Sequence, residues 1–265
     1  MRVGAVEVLP VIDGYGREAA REVLTVPDAA GDPWACHAHL LDADGNLEFT
    51  LGAFLLRTGD RTVLVDAGAG MISTGKYRGG GMLDNLRALG TDPADVTDVV
   101  FTHLHFDHVG WATRKGEIVF GNAAYRVHQA DWDHFVEAPD AQPGAVRKLS
   151  PLAGRLEPFT SDTTVAPGLD TRHTPGHTPG STVYVISSEG ERALLIGDVA
   201  HSIVELTEPD WEAVFDVDPQ AAKAARSALA AELAGTGDLF APAHFPGLRF
   251  GRLITVPHGR AWMPA

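Results

Sequence analysis

Residues 102–108 read Thr-His-Leu-His-Phe-Asp-His, and four of them, His103, His105, Asp107 and His108, carry side chains that donate electron pairs to cations. Imidazole and carboxylate together suit zinc and its first-row neighbours. Successive side chains of an extended segment alternate faces, so His103 and His105 project the same way and can grip one cation. Asp107 and His108 fall where the chain bends and can face a second cation close by. The apolar run Val99-Val100-Phe101 just upstream reads as a buried strand. Val109-Gly110-Trp111-Ala112 downstream reads as the opening of a helix. The donors therefore belong on a strand-to-helix loop, where a rigid scaffold displays reactive groups.

This H-x-H-x-D-H pattern resembles the signature of the metallo-β-lactamase superfamily. Three more stretches agree with that family in type and order: Thr174-Pro175-Gly176-His177-Thr178-Pro179-Gly180, Leu195-Ile196-Gly197-Asp198 and Ala241-Pro242-Ala243-His244-Phe245. The resemblance runs from about Leu51 to His244. It implies an α+β fold, the αββα sandwich of two mixed β-sheets flanked by helices, with two divalent metal ions at the sheet edge. It also implies the ligands. His103, His105 and His177 hold the first ion, and Asp107, His108 and His244 the second. Asp198 bridges both, together with a water or hydroxide. Asp66, in Asp66-Ala67-Gly68, is expected to orient a metal-bound histidine. Zinc leads among the ions, and Mn, Fe or Co fit the same nitrogen and oxygen donors. A metal brings the pKa of bound water from 15.7 to about 7, so the expected chemistry is attack by bridging hydroxide on a carbonyl. Asp107, beside the nucleophile, is placed to pass a proton to the leaving group.

Within the family, zinc-class β-lactamases usually carry cysteine where this chain has Asp198, which speaks against antibiotic hydrolysis. The flavodiiron pattern is absent, and so is the basic extension of the family's ribonucleases. The stretches Gly197-Asp198-Val199-Ala200-His201 and Ala243-His244-Phe245-Pro246-Gly247 look like the branch of acyl-homoserine lactonases and methyl-parathion-hydrolase-like esterases. Those lactonases commonly have tyrosine three residues after the bridging aspartate, where this chain has His201. Histidine there can donate a hydrogen bond or a proton to the substrate. The expectation is a metal-dependent hydrolase acting on a small lactone or ester. The competing readings are a glyoxalase II-type thioesterase, a phosphotriester or aryl-ester hydrolase, and a catalytically silent metal-binding homologue. Phe106, Trp111, Trp132, Trp211 and Phe245 are candidates for an apolar substrate pocket, as are His37 and His39 for its lining.

The 265 residues carry a formal net charge of −14, which repels phosphate backbones and anionic lipid and makes nucleic acid and membranes poor partners. No apolar run reaches membrane-spanning length, and the N-terminus lacks a signal-type apolar core, so a cytoplasmic protein is expected. Cys36 is the one cysteine, read as a small buried apolar residue with no disulfide to make. A homodimer is the expected assembly.

Positioning the donors requires two β-rich halves, and residues 1–265 read as one domain. Strands are expected over Val3–Ile12, Cys36–Leu40, Phe49–Leu56, Thr62–Val65, Glu117–Phe120, Ala124–His128, Leu156–Phe159, Gly168–His173, Ser181–Ser187, Arg192–Ile196 and Leu248–Val256. Thr58-Gly59-Asp60-Arg61 supplies a hairpin turn. Met82–Leu89 and Pro219–Leu233 have helical character, with Gly235 ending the second. Residues 13–34, rich in Gly, Asp and Pro, read as a loop with a short helix near 17–24, and as a lid over the metal site with Trp34 beneath it.

Overall fold

The computed structural model describes residues 1–265. Two seven-stranded sheets are built from the two halves of the chain. The first runs Arg2–Val3, Val6–Ala19, Asn46–Thr58, Arg61–Val65, Asp98–Val100, Ala124–Arg126, with Tyr77–Arg78 added beside Val6–Ala19. The second runs Thr164–Ala166, Leu169–His173, Thr182–Ser188, Glu191–Gly197, Leu239–Pro242, Gly251–Val256, Gly259–Pro264. Both sheets are mixed. Asp98–Val100 pairs in parallel with Arg61–Val65 and Ala124–Arg126, and Glu191–Gly197 in parallel with Leu239–Pro242.

Side-chain alternation shows why the sheets need partners on both faces. Phe54, Leu56, Val63, Val65 and Val100 meet Tyr184, Ile186, Ala193, Leu195 and Ala241 between the sheets. Their neighbours point the other way. Leu55, Leu64 and Val99 pack outward on Met82, Leu86 and Leu149 from helical segments. Leu194, Ile196 and Val183 pack outward on Leu229 and Leu233 of the Pro219–Thr236 helix. The result is four layers, helix–sheet–sheet–helix. No helix is long and apolar enough to cross a membrane.

Several expectations are corrected. The loop expected from Asp13 is instead strand as far as Ala19, paired along its length with Asn46–Thr58, and then a short helix, Ala20–Val23. Asp13 itself is buried, accepting from the backbone of Ala69, Gly70, Gly80 and Met82 and from Trp111 Nε1. Such a fully engaged carboxylate pins the segment to the sheet, so a lid beginning at Asp13 is not what the fold contains. Trp34 is buried, but against Trp211. Cys36–Leu40 lies in a 3-10 helix, Pro33–Leu40, started by proline and capped by the Asp32 side chain, and Cys36 is exposed. Leu156 and Phe159 make only isolated bridges. The long helix passes Gly235 and stops at Gly237, which takes the left-handed conformation. The final strand begins at Gly251 and pairs with Gly259–Pro264, a strand the sequence did not suggest.

Candidate metal centre

The donors sit where strands of both sheets end. His103 to His108 follow Asp98–Val100 of the first sheet. His177, Asp198 and His244 follow Leu169–His173, Glu191–Gly197 and Leu239–Pro242 of the second. His103 Nε2, His105 Nδ1 and His177 Nε2 approach one another to 3.0–3.2 Å. Asp107, His108 and His244 form a second cluster, with His244 Nε2 3.6 Å and His108 Nε2 3.9 Å from the Asp107 carboxylate. Asp198 Oδ2 stands between them, 3.0 Å from His244 Nε2, 3.4 Å from His108, 3.5 Å from His177 and 3.7 Å from His103.

This donor set fits a pair of divalent cations. Nitrogens about 2.0–2.1 Å from one tetrahedral ion lie about 3.3 Å apart, close to the spacing of the first cluster. Asp198 Oδ1 and His108 Nε2 are buried with no hydrogen-bond partner. Buried polar atoms are ordinarily satisfied, so atoms left over in one spot mark what they are built to hold.

The far side of each ring is fixed from outside. His108 Nδ1 meets Asp66 Oδ2 at 2.9 Å, and Asp66 also accepts from the Thr102 backbone and hydroxyl. His177 Nδ1 meets Asp216 Oδ1 at 3.0 Å, and His244 Nδ1 meets the Thr50 carbonyl at 3.1 Å. Such contacts set ring orientation and tautomer. Asp216, Glu205 and Arg226 were missed in sequence. Arg226 is buried on the long helix and donates to both Glu205 and Asp216. No local motif marks them: Glu205 lies close to His201 in sequence, but Asp216 meets His177 and Arg226 meets Glu205 only across the fold.

Burial holds His103 and His105 well below the usual imidazole pKa, with neighbouring imidazoles adding to the effect. Burial also lowers His177, against the pull of Asp216. Neutral imidazole is the form that binds metal. For Asp198, burial opposes the charge, but His244, His108 and His103 outweigh it and hold the carboxyl well below its usual range. Burial also opposes charge on His108 and His201. Asp198 and Asp66 outweigh it at His108, and Glu205 with Asp198 lifts His201 to about 9. Cations entering the centre would displace those protons.

A cavity of about 230 Å³ opens onto the cluster. Phe49, Tyr77, Phe106 and Phe215 wall it, and His105, Asp107, His177, Asp198 and His244 are the donors that reach its floor. Of the aromatics singled out in sequence, Phe106 lines it, whereas Trp111, Trp132, Trp211 and Phe245 are core residues. His37 and His39 lie elsewhere, with His37 paired to Glu208. His201 borders the cavity, its Nε2 3.5 Å from Asp198 Oδ2.

Fold and donors together define a class, and residues 53–244 match the family model described as the metallo-beta-lactamase superfamily. The chain belongs to that superfamily. Among curated relatives it is 33% identical over 133 residues to the N-acyl homoserine lactonase AttM of Agrobacterium fabrum, covering 46% of this chain and 48% of that protein. It is 27% identical over 167 residues to an N-acyl homoserine lactonase of a Bacillus species, covering 57% and 63% respectively. The chain thus spans about half the length of the Agrobacterium relative it matches. Among solved structures it resembles AidC, a dizinc quorum-quenching lactonase in complex with a product, with a TM-score of 0.86 and 26% identity, covering 100% of this chain and 96% of that one. The hydrolase AbOPH of the beta lactamase superfamily gives the same TM-score, identity and coverage.

Proposed function

We propose that this chain is a single-domain, dinuclear metal-dependent hydrolase that opens a small uncharged lactone or cleaves a related ester. The observation that carries the reading is the convergence of seven donors from both sheets beneath an aromatic-walled cavity that five of them line. Its likeness to lactonases along the chain supports the choice of substrate. Two divalent cations, zinc foremost, would supply an acidified water and polarise the carbonyl. His103, His105, His177 and Asp198 would hold one, and Asp107, His108, His244 and Asp198 the other.

The protein's own groups do the rest. Asp66, Asp216 and the Thr50 carbonyl keep three imidazoles aimed inward. Asp107 lines the cavity and can accept the proton of the attacking water and return it to the leaving alkoxide. The acyl carbon gains the water oxygen, its bond to the alkoxy oxygen breaks, and the proton ends on that oxygen. His201 acts at the same centre, beside Asp198. Phe49, Phe106 and Phe215 exclude water and favour an apolar acyl group.

The test is proton release by zinc-loaded protein offered an acyl-homoserine lactone, an aryl ester, a glutathione thioester and a phosphotriester, with Asp198→Ala as control. Lactone opening that disappears in the control is the expected result. Lactone inactivity with turnover of another substrate would move the substrate class, and silence on all four would sink the hydrolase reading.

A further inference from the structure

Three of the ligand histidines share one arrangement in this structure, whereas His105 turns Nδ1 inward. His108, His177 and His244 each turn Nδ1 outward to an oxygen acceptor, at 2.9, 3.0 and 3.1 Å, and turn Nε2 inward toward Asp198. His201 is turned the same way but is held less closely. Its Nδ1 faces Glu205 Oε1 at 3.6 Å, beyond hydrogen-bond reach and with no other partner, and its Nε2 lies 3.5 Å from Asp198 Oδ2, the distance His177 Nε2 also keeps.

Exposure separates two roles for this ring. A nitrogen meant for substrate should be open to the cavity. His201 Nε2 is sealed from solvent and has no hydrogen-bond partner, although the residue borders the cavity. His108 Nε2 and Asp198 Oδ1, which belong to the ligand set, share that condition. The donor atoms of His177, Asp198 and His201 lie within 4.8 Å of one another. The support behind the two rings is also shared. Glu205 stands behind His201 and Asp216 behind His177, and Arg226 donates to both carboxylates. Glu205 is further fixed by the backbone N–H groups of His201 and Ser202.

We infer that His201 is an eighth donor of the metal centre, presenting Nε2 beside His177 and Asp198 in place of the substrate-facing role expected from its position in sequence. The inference rests on the two-cation reading above. Its consequence is a more tightly held cation beside His177 and Asp198, with one position fewer open to substrate.

Cobalt(II)-loaded protein tests this without turnover. Metal content, the visible absorption spectrum and competition against a chelator would be compared for wild type, His201→Phe, Glu205→Gln and Asp198→Ala. Expected for His201→Phe is an altered cobalt spectrum and at least ~10-fold weaker retention of one cation. Glu205→Gln, which keeps the ring, should shift retention less and in the same direction, and it serves alone if His201→Phe does not fold. An unchanged spectrum and unchanged retention in a folded His201→Phe protein, or in Glu205→Gln where only that variant folds, would overturn the inference. Wild type that binds fewer than two cations, or Asp198→Ala that binds as wild type does, would instead overturn the reading on which it rests.

Discussion

Asp131 shows how one carboxylate outside the metal centre holds the centre's parts together. It is buried and accepts from Leu104 N–H at 3.0 Å and Gly180 N–H at 2.6 Å, joining the loop of His103 and His105 to the loop of His177. Burial raises its pKa to about 6, against hydrogen bonds from Thr178, Gly180 and Leu104 that pull it down. Between the ordinary aspartate value and about 6 the folded state therefore holds a proton that the unfolded chain has lost. The stability from that proton is complete below the unfolded value and is lost as pH rises through about 6. Asp131→Asn should remove this slope while leaving one N–H without its acceptor. Denaturant unfolding of both proteins at several pH values between about 4.5 and 7 measures it. The difference should move in the variant's favour by on the order of 2–3 kcal/mol as pH rises. Parallel curves would show that Asp131 does not carry the raised pKa. At this scale the donors were visible in sequence because four of them share one short loop. Asp216 and Arg226 were not, since their partners lie across the fold and any acidic or basic surface residue looks the same on paper.

At the scale of elements, loops are held by contacts that local sequence does not announce. Val109–Ala112 has helical composition, yet it forms turns. Gly110 N–H donates to the Gly68 carbonyl and Trp111 N–H to that of Ala67, so these donors are taken by a neighbouring loop rather than by a helical turn. A Cβ at Gly110 would overlap the backbone of Ala69. Cys36–Leu40 misled in the opposite sense, because its alternation imitates a strand while Asp32 and Pro33 start a helical turn. The central strands of both sheets were largely legible because their alternating apolar residues have two cores to serve, whereas Tyr77–Arg78, Thr164–Ala166, Leu239–Pro242 and Gly259–Pro264 were not. Gly176 offers a test at this scale. It has φ +143°, and an added Cβ would overlap the backbone of Ala222 in the first turn of the long helix. Gly176→Ala should push the His177 loop away from that helix. A stability loss of about 1–3 kcal/mol is expected, with weaker cation retention. Gly154→Ala, where nothing lies within 4 Å, is the control. Equal behaviour of the two variants in calorimetry and metal titration would remove the helix contact from the account of the site.

Over the whole molecule, the centre is the place where the two sheets are tied together. One loop of the first sheet brings His103, His105, Asp107 and His108, and three loops of the second bring His177, Asp198 and His244. The two-halved pattern was readable in the sequence, but the lining of the cavity was not, since it depends on how the halves dock. Three imidazole nitrogens come within 3.0–3.2 Å of one another, two from the first sheet's loop and one from the second's. A cation held by all three would cross-link the two sheets. Chelation should therefore lower the melting temperature, and restoring zinc should raise it with free metal concentration. A ligand at a thousand times its Kd contributes about 4 kcal/mol per site. With about 2–4 °C per kcal/mol for a chain near this length, one site corresponds to on the order of 10 °C. Scanning calorimetry of metal-free and zinc-loaded protein makes the measurement. Asp198→Ala, which loses the oxygen at the middle of the cluster, should show only a fraction of the shift. A melting temperature indifferent to metal would mean that the shared apolar core alone holds the sheets in register, and that the donors converge without contributing to the union of the two halves.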